Sequence, residues 1–171
     1  MKHLFMIFVL YSSGFASLNE IKSFEADFIQ NVVDEKNKKL SYSGHVVAKK
    51  PQDAVWNYIS PITKTIYITK SVITIVEPEL EQAIVKSIRS SFDFFSMIKD
   101  AKKVDENSYL ATFKESKFTI IMKNKLIKSI SYIDEFENSV KIIFENQKQN
   151  KEINKELFTP NIPIGFDIIR D

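Results

Sequence analysis

Short apolar runs, separated by polar segments, occupy most of the chain after its first forty residues. The strand-like runs are YSGHVVA, AVWNYI, KTIYIT, SVITIVE, SYLATFK, KFTIIMK, KLIKSISYI and NSVKIIFE. Eight or more such strands in succession predict an antiparallel meander that forms a sandwich or a barrel. Because no repeat, low-complexity stretch or Pro/Gly-rich linker interrupts them, we predict one domain.

Two segments have helical rather than alternating spacing. In SLNEIKSFEADFIQ, apolar residues recur at Leu18, Ile21, Phe24 and Phe28, with charged residues between them. This pattern predicts an amphipathic helix that packs on an apolar surface.

The second helical segment is SSFDFFSMIKD. Phe92, Phe95 and Ile98 fall at helical spacing after a serine that can cap a helix, so we predict a helix over residues 92–99. Phe94 and Met97 widen its apolar face. Core packing and the lining of a ligand cavity both explain such a face.

The N-terminus has the pattern of a secretory signal peptide. MKH supplies a positive start, LFMIFVLY is an apolar run too short to span a bilayer, and SSGFA ends in small residues. We therefore predict cleavage after Ala16, export to the periplasm, and a single domain over residues 17–171. The alternative interpretation is a buried N-terminal strand or helix.

Composition excludes several classes of protein. The net charge of +2 comes from scattered charges, whereas a nucleic-acid binder needs a concentrated basic surface. The chain has no cysteine, so a disulfide framework, a thiol nucleophile and a lipidated cysteine anchor are all excluded.

The residue inventory favours binding over catalysis. After cleavage His45 is the remaining histidine, and Gly44 and Gly165 are the remaining glycines, too few for a phosphate-binding loop. No serine lies in a G-x-S-x-G motif. We therefore predict a binding protein that is not an enzyme and that needs no metal and no cofactor.

Five segments together resemble the LolA family of lipoprotein carriers. They are FEADFIQ, the lysine-rich turn after it, GHVVAKKPQDAVWNYISP, ITIVEPELEQAIV and FTPNIPIGFDII. The most specific feature is the order Phe-x-x-x-Phe-x-Gln, Gly-x-x-x-x-Lys-Lys-Pro with Trp and Tyr, then Pro-x-Leu-x-Gln. Pro163, Gly165 and Asp167 add to the resemblance, which extends over nearly all of residues 24–169.

The resemblance implies a mainly β fold: an incomplete, strongly curved antiparallel β-barrel with helices that form a lid over an apolar cavity. It also implies lipidated proteins as cargo, an inner-membrane ABC exporter as donor, an outer-membrane acceptor or membrane as destination, and a monomeric carrier. The family usually has an arginine before the proline, where it helps hold the lid closed. This chain has Lys50 there, which keeps the charge but loses the planar fork.

The apolar residues of these segments are the candidate lining of an acyl-chain cavity. They are Phe24, Phe28, Trp56, Tyr58, Ile66, Ile68, Phe92, Phe94, Phe95, Met97 and Ile98, with Lys50 as the candidate lid latch. Because residues two apart in a strand lie on the same face, Trp56 shares a face with Tyr58, and Ile66 shares a face with Ile68. The alternation leaves open which sheet face is concave. Three alternatives remain: a closed sandwich with these residues in its core, a carrier or sensor of another apolar lipid, and a cavity-free interaction scaffold.

Overall fold

The chain folds into one sheet of twelve strands in the computed structural model, which describes residues 18–87, 94–113 and 115–170. The strands are β1 (Ser23–Val33), β2 (Lys39–Lys49), β3 (Asp53–Ser60), β4 (Lys64–Ile68), β5 (Val72–Glu77), β6 (Gln82–Ser87), β7 (Lys102–Asp105), β8 (Ser108–Phe113), β9 (Ser116–Lys123), β10 (Leu126–Ile133), β11 (Ser139–Gln149) and β12 (Asp167–Arg170). The described helices are α1 (Phe94–Lys99) and the 3-10 helices Leu18–Glu20, Pro78–Leu80 and Lys155–Phe158. The predicted mainly β fold is confirmed.

The strand order shows that the sheet consists of two meanders. It runs β12-β6-β5-β4-β3-β2-β1-β11-β10-β9-β8-β7, so consecutive strands are neighbours on either side of the β1–β11 pair. All pairs are antiparallel except β12 with β6, which is parallel. The sheet is open because β12 and β7 lie at its two edges. The predicted antiparallel meander is therefore confirmed, with a parallel strand added at one edge.

The predicted N-terminal amphipathic helix is wrong. The segment forms a short 3-10 helix at Leu18–Glu20 and then the central strand β1. Phe24 and Phe28 are four residues apart, a spacing that fits one face of a helix and also one face of a strand. The buried Ala26 between them shows the period of two. As a strand, the segment forms backbone hydrogen bonds with both β2 and β11.

The predicted second helix corresponds to α1, which begins at Phe94 and ends at Lys99. Phe92 lies outside the described residues. Phe95, Met97 and Ile98 are buried, and α1 packs near the 3-10 helix Leu18–Glu20 and β8.

The two faces of the sheet pack against different parts of the chain. One face holds the main core, which extends from Phe24 on β1 to Ile120 on β9 and includes the buried side of α1. The C-terminal segment covers part of the other face, where Ile153 and Phe158 pack on Val55. Lys49 Nζ fixes this segment by donating to the carbonyl of Ile153 at 2.7 Å.

Pro51 lies in the turn between β2 and β3. A proline at a strand end removes no ladder hydrogen bond from the sheet, which is the position that its missing N–H favours. Within the described ranges, no helix has the length and apolarity needed to cross a bilayer.

Candidate apolar binding site

The concave face of the sheet encloses a cavity of about 270 Å³. Its lining residues are Gln30, Trp56, Tyr58, Ile66, Ile68, Phe94, Phe118, Ile130, Tyr132, Ile142 and Phe144. Apart from the Gln30 amide and the tyrosine hydroxyls, the surfaces of these side chains that face the cavity are aliphatic or aromatic. The cavity is therefore suited to an apolar ligand.

The curvature of the sheet creates the cavity. Ile66 on β4 and Phe118 on β9 line the same space although six strand spacings separate their strands in the sheet order. In a flat sheet that separation would be roughly 29 Å. The sheet must therefore bend back on itself, which leaves the Trp56 face on the inside.

A second, smaller cavity of about 30 Å³ lies beneath α1. Trp56, Ile68, Phe94 and Phe144 line both cavities, so the two spaces share a wall. Phe94 is the α1 residue that contributes to both. A displacement of α1 would therefore change the size of the larger cavity as well as the smaller one.

Aromatic rings form the floor of the site. The Phe28 ring is 1% exposed and lies 5.1 Å, between centroids, from the rings of Trp56 and Tyr58. Phe24 has the same centroid distance to Phe144. These edge-to-face arrangements hold the Trp56 and Tyr58 rings in defined orientations.

Gly44 makes this floor possible. It pairs with Phe28 on β1 and with Tyr58 on β3, at a register shift of the β2–β3 ladder. A Cβ atom at position 44 would lie 1.9 Å from the Asn57 carbonyl oxygen and 2.8 Å from Phe28 Cζ. Glycine is therefore required for close approach at this position.

Most of the sequence-predicted cavity residues lie at these two cavities. Phe24, Trp56, Tyr58, Ile66, Ile68, Phe94 and Phe95 line one or both of them. Phe28, Met97 and Ile98 line neither; they are buried in the core that supports the lining. Phe92 lies outside the described residues.

Sequence reasoning missed the wall that β9, β10 and β11 contribute. Phe118, Ile130, Tyr132, Ile142 and Phe144 line the larger cavity. A period-2 pattern was present in the predicted strands KFTIIMK and NSVKIIFE, where alternate residues are buried. Alternation identifies such a face, but it does not show that the face belongs to a cavity rather than to a closed core.

Lys50 lies between the N-terminal 3-10 helix and α1. Its Nζ atom donates to the carbonyl of Asn19 at 3.1 Å and is 5.8 Å from the centroid of the Phe95 ring. Its backbone N–H donates to the carbonyl of Lys22 at 2.9 Å. Lys50 therefore contacts α1 through an aromatic ring and bonds to a carbonyl of the neighbouring 3-10 helix.

Polar side chains lie at the other end of β3 from Lys50. The Tyr58 hydroxyl donates to Gln30 Oε1 at 2.8 Å, and Lys64 Nζ lies 4.7 Å from the centroid of the Tyr58 ring. Burial raises the pKa of Tyr58, and burial, aided by the Asp134 charge, also raises the pKa of Tyr132. Both phenols are therefore neutral hydrogen-bonding groups near neutral pH.

His45 takes part in a hydrogen-bond network on the opposite face of the sheet. Its Nδ1 atom lies 2.8 Å from Asp27 Oδ1, and Asn146 Nδ2 donates to Asp27 Oδ2 at 2.7 Å. These hydrogen bonds, that of Asn146 first, lower the pKa of the exposed Asp27 carboxyl. This network does not border either of the two apolar cavities.

An open, curved sheet around an apolar cavity is the architecture of a protein class that binds apolar ligands. Residues 19–111 match the family described as outer membrane lipoprotein carrier protein LolA, and the chain belongs to this family. The outer-membrane lipoprotein carrier protein of Campylobacter jejuni is 39% identical over 99% of this chain and 100% of its own length. That of Wolinella succinogenes is 38% identical over 91% of each chain.

Solved structures support the fold. The LolA superfamily protein of Nitrosomonas europaea superimposes with a TM-score of 0.56 at 10% identity, covering 84% of this chain and 94% of that one. An uncharacterized conserved protein of Thermus thermophilus superimposes with a TM-score of 0.55 at 10% identity, over 90% and 93% of the two chains. The open sheet is therefore shared far beyond recognisable sequence identity.

Proposed function

We propose that this protein carries lipid-modified proteins to the outer membrane by holding their acyl chains in the apolar cavity. The observation that carries the proposal is the cavity of about 270 Å³ on the concave face of the sheet. The membership of the chain in the outer membrane lipoprotein carrier family supports the same conclusion. Protein interiors are normally close-packed, so a cavity of this size is not expected in a protein that serves only as an interaction scaffold.

The energetics of the task require such a cavity. Moving an acyl chain from a membrane into water costs about 0.8 kcal/mol for each CH₂ group. A carrier offsets that cost by surrounding the chain with apolar side chains. Here β3, β4, β9, β10, β11 and α1 all contribute apolar lining residues.

The proposal includes the route of the cargo. Residues 1–16 act as a signal peptide, and residues 17–171 form a single periplasmic carrier domain. An inner-membrane ABC exporter loads the carrier, and an outer-membrane acceptor or the membrane itself receives the cargo. The carrier works as a monomer and catalyses no reaction, since loading and release require only differences in affinity.

In this proposal α1 acts as the lid. Phe94 borders both cavities, and its ring lies 5.5 Å from Phe24 and 5.3 Å from Phe95. If α1 moves away from the sheet, the two spaces join and accept longer or additional chains. When α1 returns, its aromatic side chains compete with the cargo for the same space and favour release.

The carrier function can be tested by a two-step transfer assay. Inner-membrane vesicles that hold a lipidated cargo are incubated with the carrier, and cargo released with it is then offered to outer-membrane vesicles. We expect release and delivery of the lipidated cargo only. The control is the same cargo with its lipidated cysteine replaced by serine. Equal complex formation by the unlipidated cargo would contradict the proposal.

Lys50 provides a separate prediction about the lid. Lys50→Leu removes the bond to the Asn19 carbonyl and the cation near Phe95, which together are worth about 1–2 kcal/mol. We expect this variant to take up cargo normally and to deliver it several-fold more slowly, because the closed form is less favoured. Lys50→Arg is the matched control and should deliver cargo at the native rate. Normal delivery by Lys50→Leu would show that Lys50 is not a latch.

A further inference from the structure

The cavity is apolar along most of its length but has hydrogen-bonding groups at one end. We call Gln30, Tyr58, Lys64 and Tyr132 the polar rim. Tyr58, Lys64 and Tyr132 lie close to the β3–β4 and β10–β11 turns, and Gln30 lies toward the β1–β2 turn. These three turns are at the same end of the antiparallel sheet, opposite to the β2–β3 turn that contains Lys50.

The register of the strands turns the polar rim toward the cavity. Gln30 pairs with Ile142, Tyr132 pairs with Phe118, and these four side chains line the same space. Lys64 pairs with Tyr58, and its ammonium group lies over the Tyr58 ring. The rim is therefore continuous with the apolar lining and does not belong to the outer surface of the sheet.

The rim has hydrogen-bond donors to spare. The Tyr58 hydroxyl uses its proton on Gln30 Oε1. Within residues 18–87, 94–113 and 115–170, no group accepts a hydrogen bond from the side-chain NH₂ of Gln30, from the Tyr132 hydroxyl or from the Lys64 ammonium group. Surplus donors at the end of an apolar cavity suit a ligand that presents acceptor oxygens next to its hydrocarbon.

We propose that the polar rim binds the carbonyl oxygens that link the acyl chains to the head of the cargo lipid, with Tyr132 and Gln30 as the donors. This inference rests on the proposed carrier function and specifies the chemistry that the site recognises. An ester or amide carbonyl drawn into the cavity loses its hydrogen bonds to water, so it needs replacement donors at that depth. The rim supplies them where the chains would leave the apolar lining.

This recognition also fixes the direction of the ligand. The chains extend from the rim toward Trp56 and Phe94, and the head group with its attached protein stays at the turn end of the sheet. Lys64 lies at the outer edge of the rim, where a cation reinforces donation to a carbonyl without requiring a charged ligand.

The test compares two probes that differ only in carbonyl groups. One is a diacylglyceryl lipopeptide with ester-linked chains, and the other is the same peptide with ether-linked alkyl chains of equal length. Binding is followed by the emission of Trp56, the chain's single tryptophan, which lines the cavity. We expect the native protein to bind the ester probe roughly three- to tenfold more tightly than the ether probe.

The variants Tyr132→Phe and Gln30→Leu should each reduce the ratio of ester-probe to ether-probe affinity, and this ratio is the readout because both residues line the cavity and a change in packing would affect the two probes alike. Tyr67→Phe is the matched control, because Tyr67 packs on the other face of the sheet beside Val55, and it should keep the native preference. Unfolding curves confirm that each variant is folded. Equal affinity of the native protein for both probes, or a preference that survives both rim variants, would overturn the inference.

A failure of the carrier function gives a different result, because neither probe would then bind the native protein. A further arm compares palmitate with its methyl ester, so that a site for a free carboxylate can be recognised. Tighter binding of palmitate, lost in Lys64→Gln, would show that the rim binds a negative charge and would overturn the assignment to linkage carbonyls. We expect the methyl ester to bind at least as well.

Discussion

Ile66→Glu is expected to reduce the affinity for an acylated probe at least about 100-fold. Ile66 lines the cavity on β4 and is partly exposed, so a longer polar side chain fits there without disturbing the buried core. In the complex, the carboxylate would lose its water and face the hydrocarbon of the ligand, at a cost of about 3 kcal/mol or more. The dissociation constant, measured from Trp56 emission, reports the loss.

The charge itself can be separated from a packing effect by lowering the pH. Contact with the acyl chain raises the pKa of the introduced carboxyl, so protonation restores a neutral side chain and part of the affinity as the pH falls. Thr119→Glu is the matched control, since Thr119 is exposed on a strand whose neighbouring residue Phe118 lines the cavity. Equal affinities for Ile66→Glu and the native protein would show that acyl chains bind elsewhere.

The strand pattern could be predicted because β-rich sequence runs and polar turns are local signals. β3, β4 and β5 match the runs AVWNYI, KTIYIT and SVITIVE to within a residue or two. Two strand pairings are long-range. β1 pairs with β11, and β12 pairs with β6, and in each pair the two strands are more than eighty residues apart in the sequence. No local pattern specifies such pairings.

Strands at β6, β7 and β12 were not predicted, and each has a physical reason. β6 has the sequence QAIVKS and a single buried residue, so no alternation of buried and exposed positions identifies it as a strand. β7 and β12 are four-residue edge strands whose residues are all exposed. Exposed edge strands lack the alternation that identifies a strand with one buried face.

The site was predictable where a residue type is unusual and unpredictable where it depends on curvature. Trp56 and Tyr58 were recognised from their aromatic character, and the structure places both in the cavity lining. Which sheet face is concave follows from the long-range bend that brings β4 near β9, and the sequence contains no local sign of it. The lining residues on β9, β10 and β11 were missed for this reason.

Lys50 shows the same division between local and long-range information. The sequence has a lysine where its resemblance to the LolA family leads us to expect an arginine, but it does not show what the lysine contacts. In the structure its carbonyl partner is Asn19 of the N-terminal 3-10 helix, and its contact with α1 is the Phe95 ring. The Lys50 ammonium group contacts both elements at once. Arginine keeps a positive charge and N–H donors for these two contacts, whereas leucine has neither, so Lys50→Arg should be tolerated and Lys50→Leu should not.

The two described glycines test whether close approach or backbone conformation explains each position. Gly165 has φ of 95°, and no heavy atom lies within 4 Å of the position of an added Cβ. Its replacement by alanine strains only the backbone, at about 1 kcal/mol. Gly44 lies in β2 and has no positive φ, so any cost of replacing it must come from its neighbours.

Gly44→Ala is expected to lower the free energy of unfolding by about 3 kcal/mol, well above the cost of Gly165→Ala. The added methyl group would overlap the Asn57 carbonyl oxygen, a backbone atom held by the sheet, and would also press on Phe28 Cζ. Relief requires β3 to move away from β2, which shifts Tyr58 and Trp56 and disturbs the aromatic floor. Urea unfolding measures the loss of stability, and a changed Trp56 emission in the folded variant reports the shifted floor. If Gly44→Ala were as stable as Gly165→Ala, β2 and Phe28 would not be as close as the structure shows, and the floor of the cavity would have to be held by other contacts.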